Sequence, residues 1–260
     1  ASGIAQSPAA YSLPAARCGV AFDRLAQSSG ALEYALLDAT GDGVADLVAH
    51  QDDCDATLGG THWDVYAGSA SGFAPTPAPL SLPAARCGVA WDELGRATGA
   101  LEYSLMDLSG DGFADLVVYQ DDCDAAIGQA RWDVYAGSAG GFAASPTAYT
   151  LPAARCAVSW DKPARSTGAL KYSLLDLSGD KRSDLVVLRD DCDAPVGQSR
   201  WDVYAGSAAG FAAAPSPHTL PAMRCAAPWD AASQTYGAVH YSLLDASCDG
   251  FPDLIVTRDD

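Results

Sequence analysis

The sequence contains no asparagine, which removes the N-x-Ser/Thr acceptor and with it N-linked glycosylation. Basic residues are scarce: 15 Lys and Arg stand against 33 Asp and Glu, a formal charge of −18. Such a chain repels phosphate backbones and anionic headgroups, so nucleic acid and anionic lipid surfaces are excluded as partners. No run of about 18 apolar residues occurs, which excludes membrane insertion through a helix. Catalytic signatures are missing too: there is no nucleophile elbow, HExxH or phosphate-cradling glycine loop. The histidines at 50, 62, 218 and 240 are scattered in phase against the repeat described next, with equivalents that include Tyr119, Arg131, Tyr149 and Glu102. They read as surface residues, and no enzyme is expected.

What the sequence does have is repetition. Cys18, Cys87, Cys156 and Cys225 recur every 69 residues, and Cys54, Cys123 and Cys192 follow with the same period. Trp63, Trp132 and Trp201 open three copies of "WDVYAGSA". No insertion or deletion disturbs the phase. Arrays of this kind stack one supersecondary unit that cannot bury its apolar face alone. Residues 1–260 therefore read as one repeat array. It comprises a partial unit (1–17), three repeats (18–86, 87–155, 156–224) and a partial fourth (225–260). The array is cut out of phase, so the chain is expected to be a piece of a longer one.

Within residues 32–83, "LEYALLD" alternates as a strand does, "ADLVAHQ" and "THWDVYAGS" are rich in β-formers, and "PLSLPAA" carries prolines suited to an edge strand. The connection at 86–100 has no helical period. Four short antiparallel strands and a crossover per unit predict an all-β fold of tandem propeller-type blades, as a partial or open array. With residues 4–15 as a fourth strand and 241–260 as a first and second, a third is missing, and ordinary ring closure is not expected.

Each repeat carries an acidic loop: "DATGDGVAD" (38–46), "DLSGDGFAD" (107–115), "DLSGDKRSD" (176–184) and "DASCDGFPD" (245–253). Alternate oxygen-bearing positions on a tight loop suit a hard cation such as Ca²⁺, and glycine at position 6 permits the turn. The spacing is like the first half of an EF-hand loop, but Ala49, Val118, Val187 and Val256 stand where the bidentate glutamate would be. A strand pattern, not a helix, follows.

D-x-S-G-D-G-x-x-D-L between two strands, followed by "VYAGSASGF", resembles the FG-GAP/VCBS repeats of calcium-binding propellers. The resemblance implies one Ca²⁺ per loop. The implied ligands are Asp38, Thr40, Asp42, Val44 (through its carbonyl) and Asp46 in the first loop. In the others they are Asp107, Ser109, Asp111, Phe113 and Asp115; Asp176, Ser178, Asp180, Arg182 and Asp184; and Asp245, Ser247, Asp249, Phe251 and Asp253. Thr or Ser at position 3 implies a weaker ligand than the family's Asn or Asp. Lys181 and Arg182 argue against occupation of the third loop, and Cys248 replaces a glycine in the fourth.

Cysteines at repeat spacing suggest an oxidising compartment, hence a secreted or cell-surface protein. Cys18, Cys54, Cys87, Cys123, Cys156 and Cys192 are the disulfide candidates. A Cys18–Cys54 pairing staples one unit to the next and is preferred, because its spacing would place the partner of Cys225 at position 261. A Cys54–Cys87 pairing within one blade stays open. The acids of "DDCD" (52–55) read as a solvated turn, with a second cation site as the sharper alternative.

Near-identical units favour a structural or adhesive role outside the cell, with a second copy (head-to-tail or lateral, as a filament) or extracellular proteins and glycans as partners. The alternative is a lectin. In it Phe22, Trp91, Trp160 and Trp229 stack on sugars, while Asp23, Asp92, Asp161 and Asp230 accept their hydroxyls. Exposure of those rings separates the two.

Overall fold

The computed structural model describes residues 10–259. Residues 1–9 of the partial unit 1–17, including half of the strand expected at 4–15, lie outside them. The fold is all-β, built as four small antiparallel sheets of the propeller-blade type. In the first, β1 (Ala26–Gln27), β2 (Leu32–Leu37), β3 (Asp46–Asp52), β4 (His62–Tyr66) and β5 (Ala78–Ser81) lie side by side in chain order. The second holds β6 (Leu101–Met106), β7 (Asp115–Asp121), β8 (Arg131–Tyr135) and β9 (Thr147–Thr150). β10 (Leu170–Leu175), β11 (Asp184–Asp190) and β12 (Arg200–Tyr204) belong to the third. The hairpin β13 (Gly206–Ser207) and β14 (Gly210–Phe211) joins β9 of the second sheet, and β15 (Ser216–Thr219) completes the third. The fourth has β16 (Ser233–Gln234), β17 (Val239–Leu244) and β18 (Asp253–Asp259).

The burial of each strand explains its sequence. β3, the middle strand, is covered on both faces, so its centre "LVA" is apolar without alternation, and the polar residues that flank it are buried too. β2 alternates, with Leu32 and Tyr34 buried and Glu33 and Ala35 less so. β5 is mostly exposed and carries Pro79, as an edge strand can.

One irregularity recurs. Tyr34 pairs with Ala49 but Glu33 with Gln51, so His50 bulges out of the ladder. Tyr119, Leu188 and Thr257 bulge at the same place in the other sheets.

The described chain divides into two compact units. One comprises Ala1–Gly95, Gly112–Ala114 and Tyr135–Ser145; the other comprises Arg96–Asp111, Asp115–Val134 and Pro146–Asp260. In the first, Phe22, Leu32, Tyr34, Leu47, Ala49, Leu58 and Tyr66 form a core. In the second, one cluster gathers around Trp132, Trp160 and Tyr172, and another around Trp201, Trp229 and Tyr241.

Candidate functional site

Asp38 uses its carboxylate to shape its own loop. Oδ1 accepts from the Gly41 and Asp42 amides at 2.8 and 3.2 Å, and Oδ2 accepts from Gly43 at 2.8 Å. Asp42 accepts from the Val44 amide at 2.8 Å. Gly43 has φ +81° and Gly250 +88°, as the tight turn requires; Lys181 holds the same place with φ +70°.

Asp46 behaves differently. It is fully buried, its Oδ2 accepts from the Ala39 and Thr40 amides, both at 2.9 Å, and its Oδ1 accepts from Gly68 at 2.7 Å. Asp184 repeats the set with Leu177, Ser178 and Gly206. Asp115 and Asp253 hold their own loop amides in the same way. Position 9 therefore fastens backbone, because a buried carboxylate is best satisfied by several N–H donors.

The fit to Ca²⁺ rests on positions 1, 3 and 5. The Thr40 hydroxyl is buried without a hydrogen-bond partner, as a ligand oxygen awaiting its cation would be. Ser109 Oγ lies 3.3 Å from Asp107 Oδ1, and Ser178 Oγ 3.4 Å from Asp176 Oδ1, spacings that two ligands of one ion can share. Asp42 uses one oxygen on the loop and is exposed through the rest. Asp38, Asp42 and Asp46 are not among the groups whose ligand atoms lie within 4.8 Å of one another. Position 9 is committed to the backbone, and the loop side chains are not gathered into a cage around one point in this structure.

The loops also explain their fourth residue. A Cβ on Gly41 would come within 2.9 Å of the Phe113 ring, and one on Gly179 within 2.8 Å of Phe251. Position 7 of a loop lies over position 4 of the loop before it. Cys248 takes that fourth position in the last loop, where it is exposed, so a side chain is tolerated there.

The "DDCD" turn is not a solvated turn. Cys18 is bonded to Cys54, and Cys156 to Cys192, each across 36 residues, which is the preferred pairing; Cys87 and Cys123 are also disulfide-bonded. Beside the Cys18–Cys54 and Cys156–Cys192 bonds stands an arginine that sequence reasoning overlooked. Arg17 pairs with Asp52, Asp55 and Asp64, and Arg155 with Asp190, Asp193 and Asp202. Asp52 also accepts the Cys54 amide at 2.7 Å. Only Asp53 faces water fully. The cation at this turn is the protein's own guanidinium. The signal was visible, since Arg17, Arg86, Arg155 and Arg224 keep the 69-residue phase.

The aromatic positions of the lectin alternative must be corrected. Trp91 and Trp160 are fully buried, Trp229 is 1% exposed and Phe22 5%. Each indole N–H of the three tryptophans is spent on a carbonyl, of Pro83, Pro152 or Pro221, at 2.9–3.0 Å. Their rings meet Tyr135, Tyr172 or Tyr204, and Tyr241 edge-on. Large apolar rings gain more from this packing than from water, and none offers a face to a sugar. Their aspartates do other work: Lys171 pairs with Asp230 at 2.7 Å and Arg165 with Asp161 at 2.7 Å.

Clefts do open nearby. In the first repeat Gln27, Glu33, His50, Gln51 and Glu93 line a cavity of about 470 Å³. In the third, the equivalent residues Arg165, Lys171, Leu188 and Ala231 line one of about 190 Å³. His50 Nδ1 donates to the Asp92 carbonyl at 2.8 Å, and burial pulls the imidazole below its ordinary range. In the second repeat Glu102 takes the place of Glu33, with a buried oxygen that has no hydrogen-bond partner. Burial holds its carboxyl above the usual glutamate range, with Lys162 opposing.

Fold and site together define an all-β protein of stapled blade repeats. No family model matches the chain, and no curated protein matches it. Seven chains of solved structures match. One is a lectin from Agrocybe aegerita, described for specific recognition of non-reducing terminal N-acetylglucosamine. It is 17% identical with a TM-score of 0.45, and the match covers 90% of this chain and 50% of that one. The chain thus spans half the length of that lectin. Among the described residues no helix is long and apolar enough to cross a membrane.

Proposed function

We propose that this chain is a non-enzymatic, calcium-stabilised extracellular repeat protein with a structural or adhesive role, akin to the FG-GAP/VCBS repeats. The observation that carries the reading is the staple repeated in phase: disulfide, half-buried arginine and three aspartates at 17–64 recur at 155–202. Rigidity is built into each of the three full repeats by a disulfide, and disulfides of this kind persist in oxidising compartments. Calcium, when bound, neutralises the carboxylates of positions 1 and 5. β18 is an edge among the described residues and is far less covered than its equivalent β3. Such an edge can pair with a second copy, and heterologous pairing that does not close gives filaments. Electron microscopy with calcium and with chelator tests this. Filaments only with calcium are expected; monodisperse particles in both conditions sink the assembly.

A second reading, carbohydrate binding, is favoured by the clefts. They recur at one bulged position while the residues there change from repeat to repeat (His50, Tyr119, Leu188, Thr257), against near-identity elsewhere. β-bulges often re-aim a side chain at a functional site. A glycan array separates the readings, with loss of signal in Glu33→Ala assigning any sugar bound to the first cleft.

A further inference from the structure

The second and third repeats share a clamp that the first lacks. Arg131 bridges Asp124 and Asp133 at 2.6 and 2.8 Å, and Arg200 bridges Asp193 and Asp202 at the same distances. A cation lies between two carboxylates in both. In the first repeat the carboxylates remain, as Asp55 and Asp64, but the residue between them is His62. Three carboxylates (Asp52, Asp55, Asp64) there face one guanidinium, Arg17; the third repeat sets two against its three. The first repeat is short of one positive charge.

The remaining atoms are arranged for a metal. Asp55, His62 and Asp64 each offer a ligand atom within 4.8 Å of the others. Asp55 Oδ1 is held by the Thr57 amide and hydroxyl at 3.0 and 2.6 Å, while Oδ2 has only the long 3.5 Å contact with Arg17 Nη2 and so keeps a lone pair for a metal. Asp64 Oδ2 is held by Arg17, which leaves Oδ1. The Thr61 hydroxyl donates to the Thr57 carbonyl at 3.2 Å and so accepts from His62 Nδ1–H at 3.0 Å. That assignment leaves a bare lone pair on Nε2. A second-shell bond of this kind fixes the tautomer and ring orientation of metal-ligating histidines. His62 Nε2 lies 3.6 Å from Asp64 Oδ1. This is too long for a hydrogen bond and close to the roughly 3.3 Å between two ligands of a tetrahedral zinc ion.

We propose that Asp55, His62 and Asp64 form a Zn²⁺ site in the first repeat that stands in place of the arginine clamp of the second and third. One imidazole and two carboxylates suit zinc better than calcium, which prefers oxygen alone. Water fills the fourth position.

The test is calorimetric titration of the full chain with ZnCl₂. Disulfides stay intact, the exposed thiols Cys225 and Cys248 are alkylated, and excess calcium occupies the acidic loops. The wild type takes up one equivalent. His62→Arg installs the residue that two repeats already use, so it keeps the fold. It binds zinc at least a hundredfold more weakly. His62→Ala loses binding likewise, while His240→Ala leaves it unchanged. No uptake by the wild type, or undiminished uptake by His62→Arg with native circular dichroism, overturns the site.

Discussion

A single carboxylate decides the shape of each acidic loop. Asp46 satisfies three backbone amides from a buried position, so Asp46→Asn, which turns two donors toward donors, costs about 2 kcal/mol of stability. The loss persists in chelator, because the staple needs no ion; a thermal melt with and without chelator checks both statements. Lys181 carries φ +70° where the other loops have glycine, so Lys181→Gly stabilises by about 0.5–1 kcal/mol, read as a higher denaturation midpoint. The buried Glu102 carboxyl gives a pH-dependent outcome. Its pKa is raised in the fold, so the burial penalty is absent below the ordinary glutamate value of 4.5, grows as pH rises above it and is complete once pH passes the folded value. Glu102→Gln therefore melts higher than the wild type at pH 7 and no differently at pH 4.

Strands were the most legible elements, because alternation and apolar runs follow directly from which faces are covered. "LEYALLD" became β2 and "ADLVAHQ" became β3 within a residue at each end. The loops were legible as loops. What stayed hidden was the use of each atom: Asp38 and Asp46 look alike in a string, yet one faces its turn and the other lies behind it. The Arg17 clamp was hidden for another reason, since its partners stand 35 to 47 residues away. Among the hydrogen bonds that tie successive repeats, one recurs that no pattern announces. The Trp63, Trp132 and Trp201 indoles donate to the carbonyls of Trp91, Trp160 and Trp229, each at 2.6 Å. Trp201→Phe keeps most of the ring and leaves that carbonyl without its donor, for a cost of about 1–2 kcal/mol. Chemical denaturation with an unchanged m-value would show the loss is local.

At the scale of the chain, disulfide staples fasten the repeats, and calcium would be a second fastening. If calcium binds the loops, melting temperature rises with free calcium and falls in chelator, by mass action on the folded state alone. Identical melts would remove calcium from the account while leaving the staples in place. The disulfides act through the unfolded chain instead, each closing a 36-residue separation and contributing about 3–4 kcal/mol in the chain-entropy model. They also set how far the molecule can be pulled. A reduced repeat of 69 residues can extend to about 240 Å. With Cys18 bonded to Cys54, the stretch between them bears no tension, and only some 120 Å can be paid out. A tether of such repeats would give way in short, stiff steps while oxidised and roughly double its reach once reduced, so that the redox state of its surroundings sets the length of the leash.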